Sequence, residues 1–210
     1  WSQASPGVVD CVEETLRDLS RDGVKIIEAV LPEAQDAEDL LRCGSVVSAE
    51  LDEFLAAELP DWRDLLDATV ASRIADGGDI PAREFLARHR RIRRLGEEIG
   101  KRFGGFDVLV CPTVPNSPPA LADLTELETY RKENFLSLRN TCVANFLGLC
   151  ALTIPIGRDT QGLPVGLQLL APGLAEDRLL RVGIALEQRL GPARDRLGVP
   201  PRCAGSTEDS

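Results

Sequence analysis

The sequence predicts an α/β fold in which short buried strands form a sheet covered by helices. Three observations predict it. Asn145–Pro172 contains two apolar runs, Cys150–Ile156 and Val165–Ala171, separated by a polar turn and bracketed by Gly and Pro, as suits strands covered on both faces. The chain begins with a helix signal, a tight turn and an apolar run, an α/β pattern. Much of the remainder repeats apolar residues at helical spacing.

In order, Ser5-Pro6 opens the first helix, with Ser as N-cap and Pro at its first position. Val8, Val9, Val12, Leu16 and Leu19 form its apolar side, and Asp22-Gly23 ends it. Lys25–Leu31 reads as a strand closed by Pro32. Asp36–Glu58 reads as helix, broken at Pro60-Asp61-Trp62. A short helix follows through Leu65, Leu66 and Val70 to Ile74, and Ala75–Gly78 reads as a loop. The longest helix starts at Asp79-Ile80-Pro81, carries Phe85, Leu86, His89, Ile92, Leu95, Ile99 and Phe103 as a stripe at helical period, and stops at Gly104-Gly105. Phe106–Thr113 is a strand ending near Pro112. Val114–Glu126 is a Pro-rich loop with room for a helical turn near Pro118–Leu124. A helix covers Leu127–Leu138, and a short one leads into Asn145. After the two strands, Glu176–Leu190 is an amphipathic helix, and residues 191–210 read as a flexible tail. Gly157, Gly162 and Gly166 mark turns or close backbone approaches.

Composition narrows the function classes. Hydrophobic content of 43% and charged content of 28% describe an ordinary globular chain. The net charge of −10 argues against nucleic acid and anionic membrane surfaces as partners. No apolar run approaches membrane-span length. The six cysteines contain no Cys-x-x-Cys pair and there is a single histidine, which disfavours zinc. Cys111, Cys142 and Cys150 read as small core residues, and the expectation is reduced thiols in the cytoplasm. No methionine occurs, position 1 included, so a fragment of a longer chain is expected.

Four segments together resemble the amidase signature family. They are Phe106-Asp-Val-Leu-Val-Cys-Pro-Thr-Val-Pro115, Asn145-Phe-Leu-Gly-Leu-Cys-Ala-Leu-Thr-Ile-Pro155, Gly162-Leu-Pro-Val-Gly-Leu-Gln168, and Glu176-Asp followed by Leu179-Leu180 and Glu187. Cys150 departs from the pattern, standing where the family often has Pro. The resemblance runs from about Pro6 to about Leu190 and implies the C-terminal portion of an amidase-signature-type mixed sheet covered by helices. That family includes fatty-acid amide hydrolases, allophanate hydrolases and the A subunit of the tRNA-dependent amidotransferase.

The resemblance also implies hydrolysis of a small-molecule amide through an acyl-serine, without metal or organic cofactor. The family's Ser–cis-Ser–Lys triad lies in its N-terminal half, in a Gly/Ser-rich segment. This sequence has no Ser-Ser pair, and Lys25, Lys101 and Lys132 stand in other contexts, so no catalytic residue transfers and the chain alone is expected to be inactive. What transfers is a wall of the substrate site. Arg73 matches, by order along the chain, an arginine that holds a substrate carboxylate; its other reading is a surface arginine. Thr113 ends a strand where the family lines its acyl pocket, and either contacts substrate or caps the turn. Arg139 falls near a position that the amidotransferase branch fills with Asp. Asn145 is expected to satisfy backbone groups at the turn into the strand. His89 reads as a packed or half-exposed helix residue, and Arg88–Arg94 as a solvated face pairing with carboxylates in preference to an anion site. The partner is an N-terminal half or a second copy of the chain; the alternatives are a component of a split amidase or amidotransferase, or a non-catalytic binding module.

Overall fold

The computed structural model describes residues 3–42 and 46–199, which fold into two compact units. The first holds residues up to Ala29, Phe103–Pro118 and the chain from Cys150 onward; the second holds Val30–Arg102 and Pro119–Leu149.

The first unit is built on a three-stranded sheet in the order β1-β3-β2, with β1 Leu109–Pro112, β2 Cys150–Arg158 and β3 Pro164–Ala171. Both pairings are antiparallel. A five-residue turn between β2 and β3 obliges those two strands to run in opposite directions. β3 is the central strand. Val165, Leu167, Leu169 and Ala171 point to one face and pack with Val8, Val12 and Leu19 of α1 (Pro6–Arg21) and Leu179 and Leu186 of α7 (Glu176–Leu190). Burial on both faces holds for β3 only. On the edge strand β2, Leu152, Ile154 and Ile156 face the core, whereas Ala151, Thr153 and Pro155 are exposed.

Lys25–Leu31 is not a strand. It has no ladder partner in the sheet, and Ile26, Ile27 and Val30 are 40%, 51% and 80% exposed. β-propensity does not hold a segment extended in a sheet when no neighbouring strand accepts its hydrogen bonds. Ser5 occupies the cap position of α1, yet its hydroxyl makes no cap bond; it accepts from the Ser117 N–H at 3.1 Å. A short helix α8 (Ala193–Leu197) forms where a tail was expected, held to β2 by Arg158 and Arg196.

The second unit is helical: α2 Pro32–Arg42, α3 Val46–Glu58, α4 Ala68–Gly78, α5 Ala82–Arg102 and α6 Leu127–Phe146, with 3₁₀ turns at Pro60–Leu65 and Leu121–Leu124. The helix expected over Asp36–Glu58 is occupied by α2 and α3, and residues 43–45 lie outside the described residues. Gly77 and Gly78, expected in a loop, complete α4, because a Cβ at Gly77 would collide with the α3 backbone at Ser48 and Ala49. Glycine here permits helix contact. The basic face of α5 is engaged by carboxylates: Arg88 pairs with Glu84 at 2.9 Å, Arg91 with Asp36 at 2.5 Å and Arg102 with Glu33 at 2.7 Å. His89 lies half-exposed, its ring edge-on to Phe85 and its Nε2 3.3 Å from Glu50 Oε1.

α6 is one continuous helix, not two, and ends in a Schellman motif. Gly148 adopts φ +63°, its N–H reaches Asn145 O at 3.1 Å, and Leu149 N–H reaches Ala144 O at 3.1 Å. The role expected of the Asn145 amide is therefore filled by its main-chain carbonyl, while the residue itself is exposed.

Candidate functional site

The face of the sheet turned away from α1 and α7 carries the functional candidates of the first unit. Strand alternation places Gly166, Gln168 and Leu170 on that face. Gln168 stands between Cys111 of β1 and Thr153 of β2. One step beyond β1, Thr113 N–H donates to Gly166 O at 2.8 Å, extending the ladder. The hydroxyls of Thr113 and Thr153 then meet across the central strand, their Oγ1 atoms 3.2 Å apart. A Cβ on residue 166 would lie 2.8 Å from Thr113 Oγ1 and 2.7 Å from Thr153 Cγ2, so the meeting requires glycine.

Beside this pair lies Gln168. It is 2% exposed, and its Nε2 has no hydrogen-bond partner among the described residues. An unmade bond of this kind costs about 1–3 kcal/mol. The face thus offers two hydroxyls, a thiol and an amide donor, with no ionisable carboxylate or amine on its strand residues. It is suited to hold a carbonyl or a backbone segment. It has no histidine, carboxylate or amine to carry a proton in acyl transfer near neutral pH.

A second polar group fixes the Thr113 loop. Ser5 N–H donates to Pro115 O at 2.8 Å, and the Ser117 hydroxyl donates to Asp159 Oδ2 at 2.5 Å. Asp159 Oδ1 accepts the N–H groups of Gln161 and Leu163, both at 2.9 Å, closing the β2–β3 turn. These bonds, the Ser117 hydroxyl first, hold the Asp159 carboxyl below its ordinary pKa. Sequence reading missed this network. Its only local signal was Asp159 three residues before Gly162, a turn pattern that names no distant partner.

Arg73 and Arg139 belong to the second unit. Arg73 Nη1 reaches across from α4 to Asn134 Oδ1 of α6 at 3.4 Å, and its charge is felt by the Cys142 thiol. Burial dominates at Cys142 and raises its pKa. Arg139 is 8% exposed, with its Nε 3.3 Å from Asn140 Oδ1. Among the described residues, no group of three or more His, Cys, Asp or Glu is placed to hold a metal ion. No helix there is long and apolar enough to cross a membrane.

Comparison with known proteins agrees with the four signature segments. The profile of the Amidase family matches residues 1–180. The chain is 36% identical over 200 residues to a 2-amino-5-chloromuconic acid deaminase of Comamonas testosteroni, covering 95% of this chain and 43% of that protein. It is 31% identical over 201 residues to a fatty acid amide hydrolase of Medicago truncatula, covering 91% of this chain and 32% of the relative. Among solved structures, 6-aminohexanoate cyclic dimer hydrolase superposes with a TM-score of 0.73 at 23% identity, over 93% of this chain and 44% of that one. Kluyveromyces lactis allophanate hydrolase gives 0.72 at 21% identity, over 93% and 32%. The chain spans less than half the length of these relatives. On its sequence and its fold, the chain belongs to the Amidase family, the amidase signature enzymes.

Proposed function

We propose that this chain is the C-terminal part of an amide hydrolase that cleaves C–N bonds through an acyl-serine, its Ser–cis-Ser–Lys triad supplied from outside these 210 residues. One observation carries the reading: a relative 36% identical is matched along 95% of this chain, yet only 43% of that relative is taken up. An acyl-serine mechanism needs a serine beside a base and an oxyanion hole of N–H donors. The Thr113–Thr153–Gln168 face holds no such pair. Its exposed Thr153 and the free Gln168 Nε2 suit a surface completed by further chain, either an N-terminal portion or a separate partner.

In this reading Thr113 borders the acyl group. Arg73 holds a substrate carboxylate, which suits a substrate such as the 2-amino-5-chloromuconic acid in the name of the Comamonas relative. Arg139, enclosed on α6, sets the local charge. The enzyme works in the cytoplasm with reduced thiols and without metal or organic cofactor. The same reading covers one component of a split amidase.

The test is to assay the purified chain on simple amides, alone and mixed with the N-terminal portion of the Comamonas relative. No turnover alone and serine-reagent-sensitive turnover on mixing support the reading. Robust turnover by the chain alone overturns it, and inactivity of the mixture favours a non-catalytic binding module.

A further inference from the structure

A cleft of about 540 Å³ opens in the first unit between α1, the end of β2 and the C-terminal helices. That volume lies in the range of small-molecule sites, about 300–1,000 Å³. Apart from Arg21, which is paired with Asp18, its charges are sorted by wall. α1 and its C-cap contribute Glu14, Asp18, Arg21 and Asp22, and the opposite wall contributes Arg158, Arg189 and Arg196. Asp18 is paired with Arg21 at 2.8 Å. The side chains of Glu14 and Asp22 have no ion-pair or hydrogen-bond partner among the described residues.

The guanidinium groups are held by carbonyls, not carboxylates. Arg196 donates to Gly191 O at 3.0 Å, Ile156 O at 2.9 Å and Pro155 O at 2.7 Å. Arg158 donates to Gly162 O at 2.7 Å and Leu197 O at 2.5 Å. Arg189 makes one long bond, 3.4 Å, to Ala185 O. The carbonyl bonds set the geometry of Arg158 and Arg196, none of the three makes an ion pair within 4.0 Å among the described residues, and each guanidinium keeps N–H donors to offer.

Three acids and four arginines line one cleft; Arg21 pairs with Asp18 on its own wall, and no ion pair within 4.0 Å crosses the cleft among the described residues. Flexible, oppositely charged side chains close such a gap when they reach each other. Here the carbonyl bonds hold Arg158 and Arg196 back. Between the walls lie Cys11 and Gly157, where a Cβ on residue 157 would stand 2.5 Å from Cys11 Sγ. The Cys11 thiol, raised chiefly by burial, is raised further by Glu14 and lowered by Arg196, so both walls act on one point.

A simple anion would suit the arginine wall but meet Glu14 and Asp22; a simple cation would meet the reverse. We propose that this cleft binds a small zwitterion, a linear amino carboxylate, with its carboxylate at Arg158 and Arg189 and its ammonium at Glu14 and Asp22. The proposal is independent of the amidase reading, since none of these residues belongs to the Thr113–Thr153–Gln168 face.

The test is calorimetric or NMR titration of the purified chain with 5-aminopentanoate, alongside pentanoate and pentylamine as half-ligands. Saturable binding of 5-aminopentanoate at least tenfold tighter than either half-ligand is expected. Arg189→Gln and the double variant Glu14→Gln/Asp22→Asn should each weaken it at least fivefold with an unchanged thermal melt. Neither change touches the carbonyl bonds of Arg158 and Arg196. No saturable binding up to millimolar concentration, equal binding of a half-ligand, or unaltered binding by both variants overturns the proposal.

Discussion

Thr113 and Thr153, forty residues apart in sequence, bring their hydroxyls to 3.2 Å across Gly166 of the central strand. The contact joins the end of β1 to the edge strand β2 over a residue with no side chain. Gly166→Ala places a methyl within 2.8 Å of both threonines, under ordinary contact distance. Overpacking of this kind costs about 1–3 kcal/mol. Urea denaturation should show a midpoint lowered to match; an unchanged midpoint contradicts the packing described.

Gln168 offers a cleaner separation of stability from function. Gln168→Leu keeps the approximate volume and removes the buried donor that lacks a partner. The isolated chain should be unchanged or more stable by about 1 kcal/mol. If a further chain accepts that donor, the same variant should lose activity in the complementation assay. Destabilisation of the isolated chain by several kcal/mol would mean that the amide is already satisfied.

Asp159 predicts a pH dependence. Its carboxyl is depressed in the folded state, so its contribution is present above the ordinary Asp value, roughly 4, and is lost as pH falls through the lower folded value. Asp159→Asn should be less stable than the parent at pH 7 and should lose less on acidification from pH 5 to pH 2. Parallel acid-unfolding curves for the two proteins would refute the assignment.

The Cys11 and Cys142 thiols are both pushed above the ordinary cysteine pKa, burial being the largest cause in each. Their thiols stay protonated in the folded protein, and the stability associated with that state declines as pH rises through their values. At pH 8 both should alkylate with iodoacetamide more slowly than a free peptide cysteine, and at the peptide rate after denaturation. Mass spectrometry of timed samples reads this directly; folded-state labelling at the peptide rate would exclude it.

Gly148 ends α6 at φ +63°, a conformation that costs an L-residue about 1 kcal/mol. Gly148→Ala should lower the melting temperature, whereas Gly100→Ala, at a helical position where an added Cβ meets no atom within 4 Å, should not. Equal effects would deny Gly148 its role as helix stop.

Local signals determined the parts of this protein that rest on local physics. The α7 boundaries, Glu176 to Leu190, follow from apolar spacing alone, and the hairpin β2–β3 follows from two apolar runs around a Gly-containing turn. Family membership was legible in four segments of fixed order. Tertiary structure decided what depends on a distant partner. Lys25–Leu31 has strand composition but no neighbour to pair with, and Gly77-Gly78 looks like a loop but lets α4 meet α3. The Thr113–Thr153 contact, the Ser117–Asp159 bond and the opposed walls of the α1–β2–α8 cleft join residues 40 or more positions apart. Sequence periodicity reports which way a side chain faces along its own element; it does not report which element will stand opposite.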